Sequence, residues 1–221
     1  MEKILHFDSD AITKMDKRFR ANFINSVTGY KSANLLGTIS NKGIPNLAIF
    51  SSVTHLGSNP ALLGFITRPT VVPRHTYQNI RENKQFTVNH IHSDIIQQSH
   101  QTAARYDEEV SEFDMTGLTA EYLEGIQAPF VKEAHIKIAC RYVNEYRIKE
   151  NNTVLVVAEI KDIYLPEASF IADGWIDLSI TQGVTINGLD SYASPKPLDR
   201  FAYAKPDQPI RSILKLSLIH I

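Results

Sequence analysis

His135-Ile-Lys-Ile-Ala-Cys-Arg-Tyr-Val-Asn-Glu-Tyr-Arg-Ile-Lys-Glu-Asn-Asn-Thr-Val-Leu-Val-Val-Ala-Glu-Ile160 decides the fold class of this chain. Ile136, Ile138, Cys140 and Tyr142 alternate with His135, Lys137, Ala139 and Arg141, so a strand here has one apolar face and one that tolerates water. Tyr146 and Ile148 continue the alternation. Glu150-Asn151-Asn152 then supplies a turn, asparagine being suited to positive φ, and Val154, Val156, Ala158 and Ile160 form the return strand. The stretch reads as a long antiparallel hairpin. Cys140 lies on its apolar face, where a thiol is usually inert.

Working outward, Ala33 to Ser40 is an apolar strand closed by the turn signal Asn41-Lys42-Gly43. Asn46 to Leu56 and Ala61 to Thr67 read as the second and third strands, with Gly57-Ser58-Asn59-Pro60 between them. Thr76 is placed to cap a short helix over Tyr77 to Asn83, and Gln85 to Ile91 returns to strand alternation. Ser93 is a second cap, for a helix ending near Tyr106, and the acidic stretch Asp107 to Met115 reads as a loop. Beyond Tyr192, four prolines predict an extended tail. Many strands, few short helices and no strict βαβ alternation give a mainly β protein, a closed or nearly closed β-barrel. No Gly-x-Gly-x-x-Gly and no Walker loop occurs, which argues against a Rossmann fold or a nucleoside triphosphate site.

The 221 residues carry 23 basic and 24 acidic side chains, a net charge of −1, so no whole-molecule field favours nucleic acid or anionic lipid. With 43% hydrophobic residues the chain can build a real core. One cysteine excludes an internal disulfide and a multi-cysteine metal site. No signal-peptide pattern opens the sequence, and the longest uncharged run, Gly43 to Thr67, is interrupted by prolines and polar residues; a cytoplasmic protein without a membrane span is expected. One domain is expected over residues 1–205, with residues 206–221 as a tail. Leu-Ser-Leu-Ile-His-Ile (Leu216–Ile221) resembles the translation of a sequencing-library adapter and is read as a scar that replaces the natural C-terminus.

Chemistry concentrates between Thr67 and Arg81. Arg68, Arg74, His75 and Arg81 gather there with the hydroxyls of Thr67, Thr70 and Thr76, between Pro69 and Pro73 and the start of a helix. Cations at a helix N-terminus cost about 0.3–1 kcal/mol against the macrodipole unless an anion reverses the sign. Free backbone N–H groups, arginine forks and hydroxyls make a phosphate cradle; the alternative is a solvated basic loop. Ser51-Ser52-Val53-Thr54 either lines a polar ligand or is the wet side of a strand. His90-Ile91-His92 puts two imidazoles on one strand face, but no third ligand is identifiable and no metal is expected. No hydrolase signature appears, and Glu108-Glu109 reads as a solvated acidic face.

Taken in order, these motifs resemble the flavin reductase-like family of FMN-binding split β-barrels. The residues that carry the resemblance are Asn46-Leu-Ala-Ile-Phe-Ser51-Ser52-Val-Thr-His-Leu, Asn59-Pro60-Ala-Leu-Leu-Gly-Phe-Ile, Arg74-His75-Thr76-Tyr-Gln-Asn79-Ile80 and Phe86-Thr-Val-Asn89. Pro129-Phe-Val-Lys-Glu133, the strand reaching Cys140, Val157-Ala-Glu159-Ile and Asn187-Gly188-Leu-Asp-Ser-Tyr192 follow. The resemblance covers about residues 20–195 and is specific as a set.

It implies a Greek-key type split barrel and a homodimer with FMN near the subunit interface. Asn46, Phe50, Ser51 and Ser52 would face the isoalloxazine ring, and Arg68, Arg74, His75 and Thr76 would hold the phosphate. Tyr192 would approach the ligand or pack at the interface. The implied activity is that of an FMN-dependent oxidoreductase, with hydride passing from NAD(P)H to flavin and on to an acceptor. No protein side chain is singled out as catalytic, because the flavin does this chemistry itself. Many two-component reductases of the family show Gly-Asp-His where this chain has Asn151-Asn152-Thr153. The missing histidine puts rapid NAD(P)H oxidation in doubt and keeps open a second reading, a non-catalytic flavin carrier acting through a partner.

Overall fold

A computed structural model describes residues 3–214. Leu216–Ile221 lie outside the described residues. Two short helices, α1 (Ser9–Lys14) and α2 (Lys17–Val27), precede the sheet. Neither is among the elements expected from the sequence; Asp8 caps α1 through Ala11 N–H at 2.8 Å, Asp16 caps α2 through Arg18 and Phe19, and Phe19, Phe23 and Val27 of α2 recur at helix spacing.

The main sheet has seven strands: β1 (Asn34–Ile39), β2 (Pro45–Phe50), β3 (Thr54–Ser58), β4 (Ala61–Thr67), β5 (Gln85–His90), β6 (Lys137–Ile148) and β7 (Thr153–Tyr164). Their spatial order is β2-β1-β5-β6-β7-β4-β3, every neighbouring pair antiparallel. The two edge strands, β2 and β3, are therefore consecutive in the chain, joined only by residues 51–53. Such a link reaches at most about 14 Å. A flat sheet of this width would separate its edges by about 29 Å. The sheet must curl until its edges nearly meet, which makes the barrel.

The expected single strand Asn46 to Leu56 is thus two strands, divided where the chain passes from one edge to the other. The hairpin is β6–β7, longer than read, with two bulges and Asn152 at φ +58° in its turn. Helix α3 (His75–Asn83) follows β4. Thr76 does not cap it: its hydroxyl accepts from Asn46, and Arg74 stands at the cap position. After β5 a 3₁₀ turn at Ser93–Ile95 leads into α4 (Ile96–Gln101), which stops well short of Tyr106. The acidic stretch read as a loop contains α5 (Glu112–Thr116), which packs against β2.

Two apolar clusters flank the β1 region. Leu36, Phe65, Phe86, Val88, Cys140 and Val156 fill one, while Leu35, Leu47, Ile91, Phe113 and Val131 belong to the other. Leu35 and Leu36 point to opposite faces and both are fully buried, so β1 reads as a continuous apolar run instead of an alternating one. A Cβ on Gly37 would come within 2.1 Å of the Pro129 carbonyl oxygen, so only glycine lets that backbone cross β1.

Candidate functional site

The start of α3 is held by a buried polar knot. Asn46 Nδ2 donates to Thr38 Oγ1 at 3.2 Å and to Thr76 Oγ1 at 3.0 Å, and Asn79 Nδ2 donates to Thr38 Oγ1 at 3.1 Å. One residue from each of β1 and β2 and two from α3 are locked together. The Thr76 oxygen accepts from Asn46, which leaves its hydrogen for another acceptor.

Above this knot the helix start has no side-chain cap. Its first N–H groups therefore keep their donor capacity. Arg74 occupies the N-cap position and its Nε donates to the Pro69 carbonyl at 3.4 Å. Burial and the neighbouring positive charges of Arg68 and Arg105 push the Arg74 guanidinium below its ordinary value. Among the described residues none of these three arginines forms an ion pair. His75 and Thr76 follow Arg74 at the start of α3, and Arg68 is near enough to act on Arg74; Arg105, which acts on it likewise, is a cation that the sequence reading missed. Far along the chain and in no motif, it gives no sequence signal of its own.

Phe50, Ser51 and Ser52 lie where β2 ends. Phe50 packs edge-on against Phe65, with ring centroids 5.2 Å apart. Ser52 Oγ accepts from Ile66 N–H at 3.0 Å and donates to the Ile66 carbonyl at 3.2 Å, so it ties the edge crossing to β4. Ser51 is half-buried and makes no hydrogen bond among the described residues. Tyr192 packs on the Leu35 cluster and its hydroxyl meets His100 Nδ1 at 2.9 Å.

His92 stacks on His135 with centroids 4.2 Å apart, and its Nε2 meets the Glu133 carbonyl at 3.0 Å. Among the described residues no group of three or more His, Cys, Asp or Glu could hold a metal ion. Burial pushes the His90 imidazole down to about 4 and the Cys140 thiol up. Glu108 and Glu109 are exposed beside Lys42. Glu112, which drew no attention in the sequence, is buried and accepts from Leu47 N–H at 2.8 Å on the outer side of edge strand β2. No helix among the described residues is long and apolar enough to cross a membrane.

Residues 29–174 match the model of the flavin reductase like domain, well over half of the chain. A crystal structure of a candidate flavin reductase with split barrel domain from Shewanella frigidimarina NCIMB 400 superposes with a TM-score of 0.87 at 46% identity, covering 90% of this chain and all of that one. Nitrilotriacetate monooxygenase component B from Bacillus cereus shares the fold at TM-score 0.79 and 18% identity, covering 90% of this chain and 100% of that one. An uncharacterized protein of Aquifex aeolicus is 28% identical over 137 residues, 60% of this chain and 70% of its own length. The chain belongs to the flavin reductase like domain family. Its fold is the split barrel, and its function is of the flavin reductase type.

Desolvation raises the Glu112 carboxyl above its ordinary range despite the bond from Leu47. Its ionised form is therefore disfavoured in the folded chain, and stability at this group rises as pH falls through the raised pKa. Glu112→Gln keeps an acceptor for Leu47 N–H and removes the buried charge. Urea unfolding is expected to show the variant more stable than wild type at pH 7, with the gap shrinking toward pH 5. A variant less stable at pH 7 contradicts this.

Proposed function

We propose that the chain binds FMN with its phosphate on the start of α3 and its ring along the end of β2. The observation that carries this reading is the cluster of Arg68, Arg74 and Arg105, without an ion-pair partner among the described residues, beside an uncapped helix start. That donor set fits a phosphate monoester: guanidinium forks supply charge, while the Thr76 hydroxyl and the first α3 N–H groups supply direction. Asn46 and Ser52 act mainly as positioning residues, because their polar atoms are engaged with Thr76 and Ile66. Ser51 keeps a hydroxyl for the ring. Bound FMN would supply hydride acceptance from NAD(P)H and donation to an acceptor. The chain's own residues neutralise the phosphate, orient the ring and exclude water.

Arg74→Ala is expected to weaken FMN by ten- to a hundredfold, from a charge-assisted bond of about 1.5–3 kcal/mol, and to leave riboflavin nearly unchanged. Flavin fluorescence titration checks this. Equal losses for both ligands would assign Arg74 a purely structural role.

Asn151 accepts from Thr153 N–H and from its hydroxyl, so the turn that carries a histidine in many relatives closes on itself here. Nicotinamide affinity is therefore expected to be weak, with KM raised more than kcat is lowered. Anaerobic stopped-flow should show flavin bleaching by NADH or NADPH. No bleaching by either at any practical concentration would favour the carrier reading.

A homodimer is the proposed assembly. Helices α1 and α2 bury no residue, yet Ile4, Phe19 and Val27 in and before them are exposed. Such an apolar surface calls for a partner, and a second copy would also wall the open side of the site. Sedimentation of a chain ending before Leu216 should give a dimer; a monomer that still binds FMN tightly refutes the shared site. A reducing, cytoplasmic setting is supported by the lone, buried Cys140. One domain through about residue 205 is supported by Lys31–Ser32 pairing with Thr185–Ile186.

A further inference from the structure

Residues 102–111 link α4 to α5 and carry Arg105. Both ends of this loop are tied down: Thr102 Oγ1 donates to the Ser99 carbonyl at 2.8 Å, and Glu112, just beyond the loop, accepts from Leu47 N–H at 2.8 Å. Next to Arg105, the Tyr106 hydroxyl accepts from Gln101 Nε2 at 3.0 Å. A turn follows, closed by Val110 N–H donating to the Asp107 carbonyl at 2.9 Å.

That turn is held from outside the loop. Lys42 Nζ lies 3.4 Å from Glu108 Oε1 and 3.8 Å from Glu109 Oε1. Lys42 is itself mounted on a well-fixed turn between β1 and β2, where Gly43 N–H donates to the Ser40 carbonyl at 2.9 Å and Ile44 N–H to the Ser40 hydroxyl at 3.1 Å. Helix α3 grips the same turn, since Asn41 Nδ2 donates to Glu82 Oε2 at 2.9 Å. Ser40, Lys42, His75, Gln78, Glu82 and Glu108 line a cleft of about 190 Å³ among these three elements. Small-molecule sites begin at about 300 Å³, so this is a seam between elements and not a ligand pocket. It brings the Lys42–Glu108 pair and His75 of the cradle to one cleft.

Electrostatics gives the pair a task. Arg105 and Arg68 both act on Arg74 through their charge, and among the described residues none of the three forms an ion pair. Like charges push the loop away from the start of α3. Lys42 opposes this by holding the loop to a turn that α3 grips. Exposed ion pairs are individually weak, so the hold is a latch that yields and not a permanent clamp.

We propose that Lys42 is a positioning residue: by holding Glu108 and Glu109 it keeps Arg105 within reach of a phosphate bound at the start of α3. The inference rests on the flavin reading for its ligand, and it assigns a role to residues that do not belong to the cradle.

Trypsin cleavage after Arg105, followed by mass on the full chain without flavin, reads the latch alone, since exposed loop segments are preferred sites of nicking. Lys42→Gln is expected to speed this cleavage about threefold, the scale of an exposed ion pair, and Lys42→Arg to leave it unchanged. Inorganic phosphate is expected to slow the cleavage of the native chain, because Arg105 then has an anion to hold. Fluorescence titration with FMN and riboflavin reads the consequence. Arg105→Ala should weaken FMN on the order of tenfold and Lys42→Gln about threefold, with Lys42→Arg close to native. Lys42→Gln combined with Arg105→Ala should lose no more than Arg105→Ala alone, because the latch then has nothing to position. Riboflavin affinity, the same in every variant, reports that they fold. The inference is overturned if Lys42→Gln leaves the cleavage unchanged or if Arg105→Ala leaves FMN binding intact. It is also overturned if Lys42→Gln costs as much in the Arg105→Ala chain as in the native one, which would make Lys42 a charge acting directly on the ligand. A native chain that binds no FMN, yet is protected by phosphate under the control of Lys42, strikes the flavin reading and leaves the latch standing; without that protection both fall.

Discussion

The Thr38 hydroxyl is the point on which the site depends. It accepts from Asn46 and Asn79, and Asn46 also reaches Thr76, so β1, β2 and α3 meet at one buried oxygen. In a low-dielectric interior a satisfied network of this kind is rigid, because breaking one bond leaves polar groups without water to replace the partner. The orientation of the α3 start, and with it the aim of Arg74, His75 and Thr76, follows from that knot. An apolar core beneath the helix would bury the same area without fixing the helix axis to the sheet.

Barrel closure supplies the other half of the geometry. Because β2 and β3 are consecutive yet sit at opposite edges, the crossing at Ser51–Val53 falls where the barrel is open. Ser52 closes that gap with two hydrogen bonds to Ile66, only two residues before Arg68. The strand that would carry the flavin ring and the loop that would carry its phosphate are thereby joined through a single side chain. Small polar residues at the crossing reflect this double duty: a larger side chain could not satisfy the β4 backbone at such short range.

The parts of this arrangement that could be read from the sequence are those whose physics is local. The β6–β7 hairpin is written in its alternation and in Asn152, and the cradle in the contiguous run from Arg68 to Thr76. What could not be read depends on partners distant in the chain. Asn46 seemed available to a ligand until Thr76, 30 residues on, claimed its amide. Glu112 looks like one more residue of a wet acidic stretch, yet it is buried because an edge-strand N–H needs an acceptor. Helices α1 and α2 carry local signals, the caps Asp8 and Asp16 and the Phe19, Phe23, Val27 repeat of α2, yet they bury nothing in this chain, so no core contact calls for them.

A cluster of arginines without carboxylates is costly to maintain, since like charges repel and the start of a helix adds positive potential of its own. A fold selected for stability alone would place a carboxylate among them, as it does for Lys42 with Glu108 and for Arg200 with Asp173. The chain pairs some cations elsewhere and, among the described residues, leaves these three without an ion pair beside free N–H groups. On the proposed reading that cost is offset when a dianion binds, and binding energy would then be concentrated on the phosphate, with the flavin ring lightly held. A lightly held ring can keep one face open to a second reactant, which is the condition that hydride transfer between two bound molecules imposes.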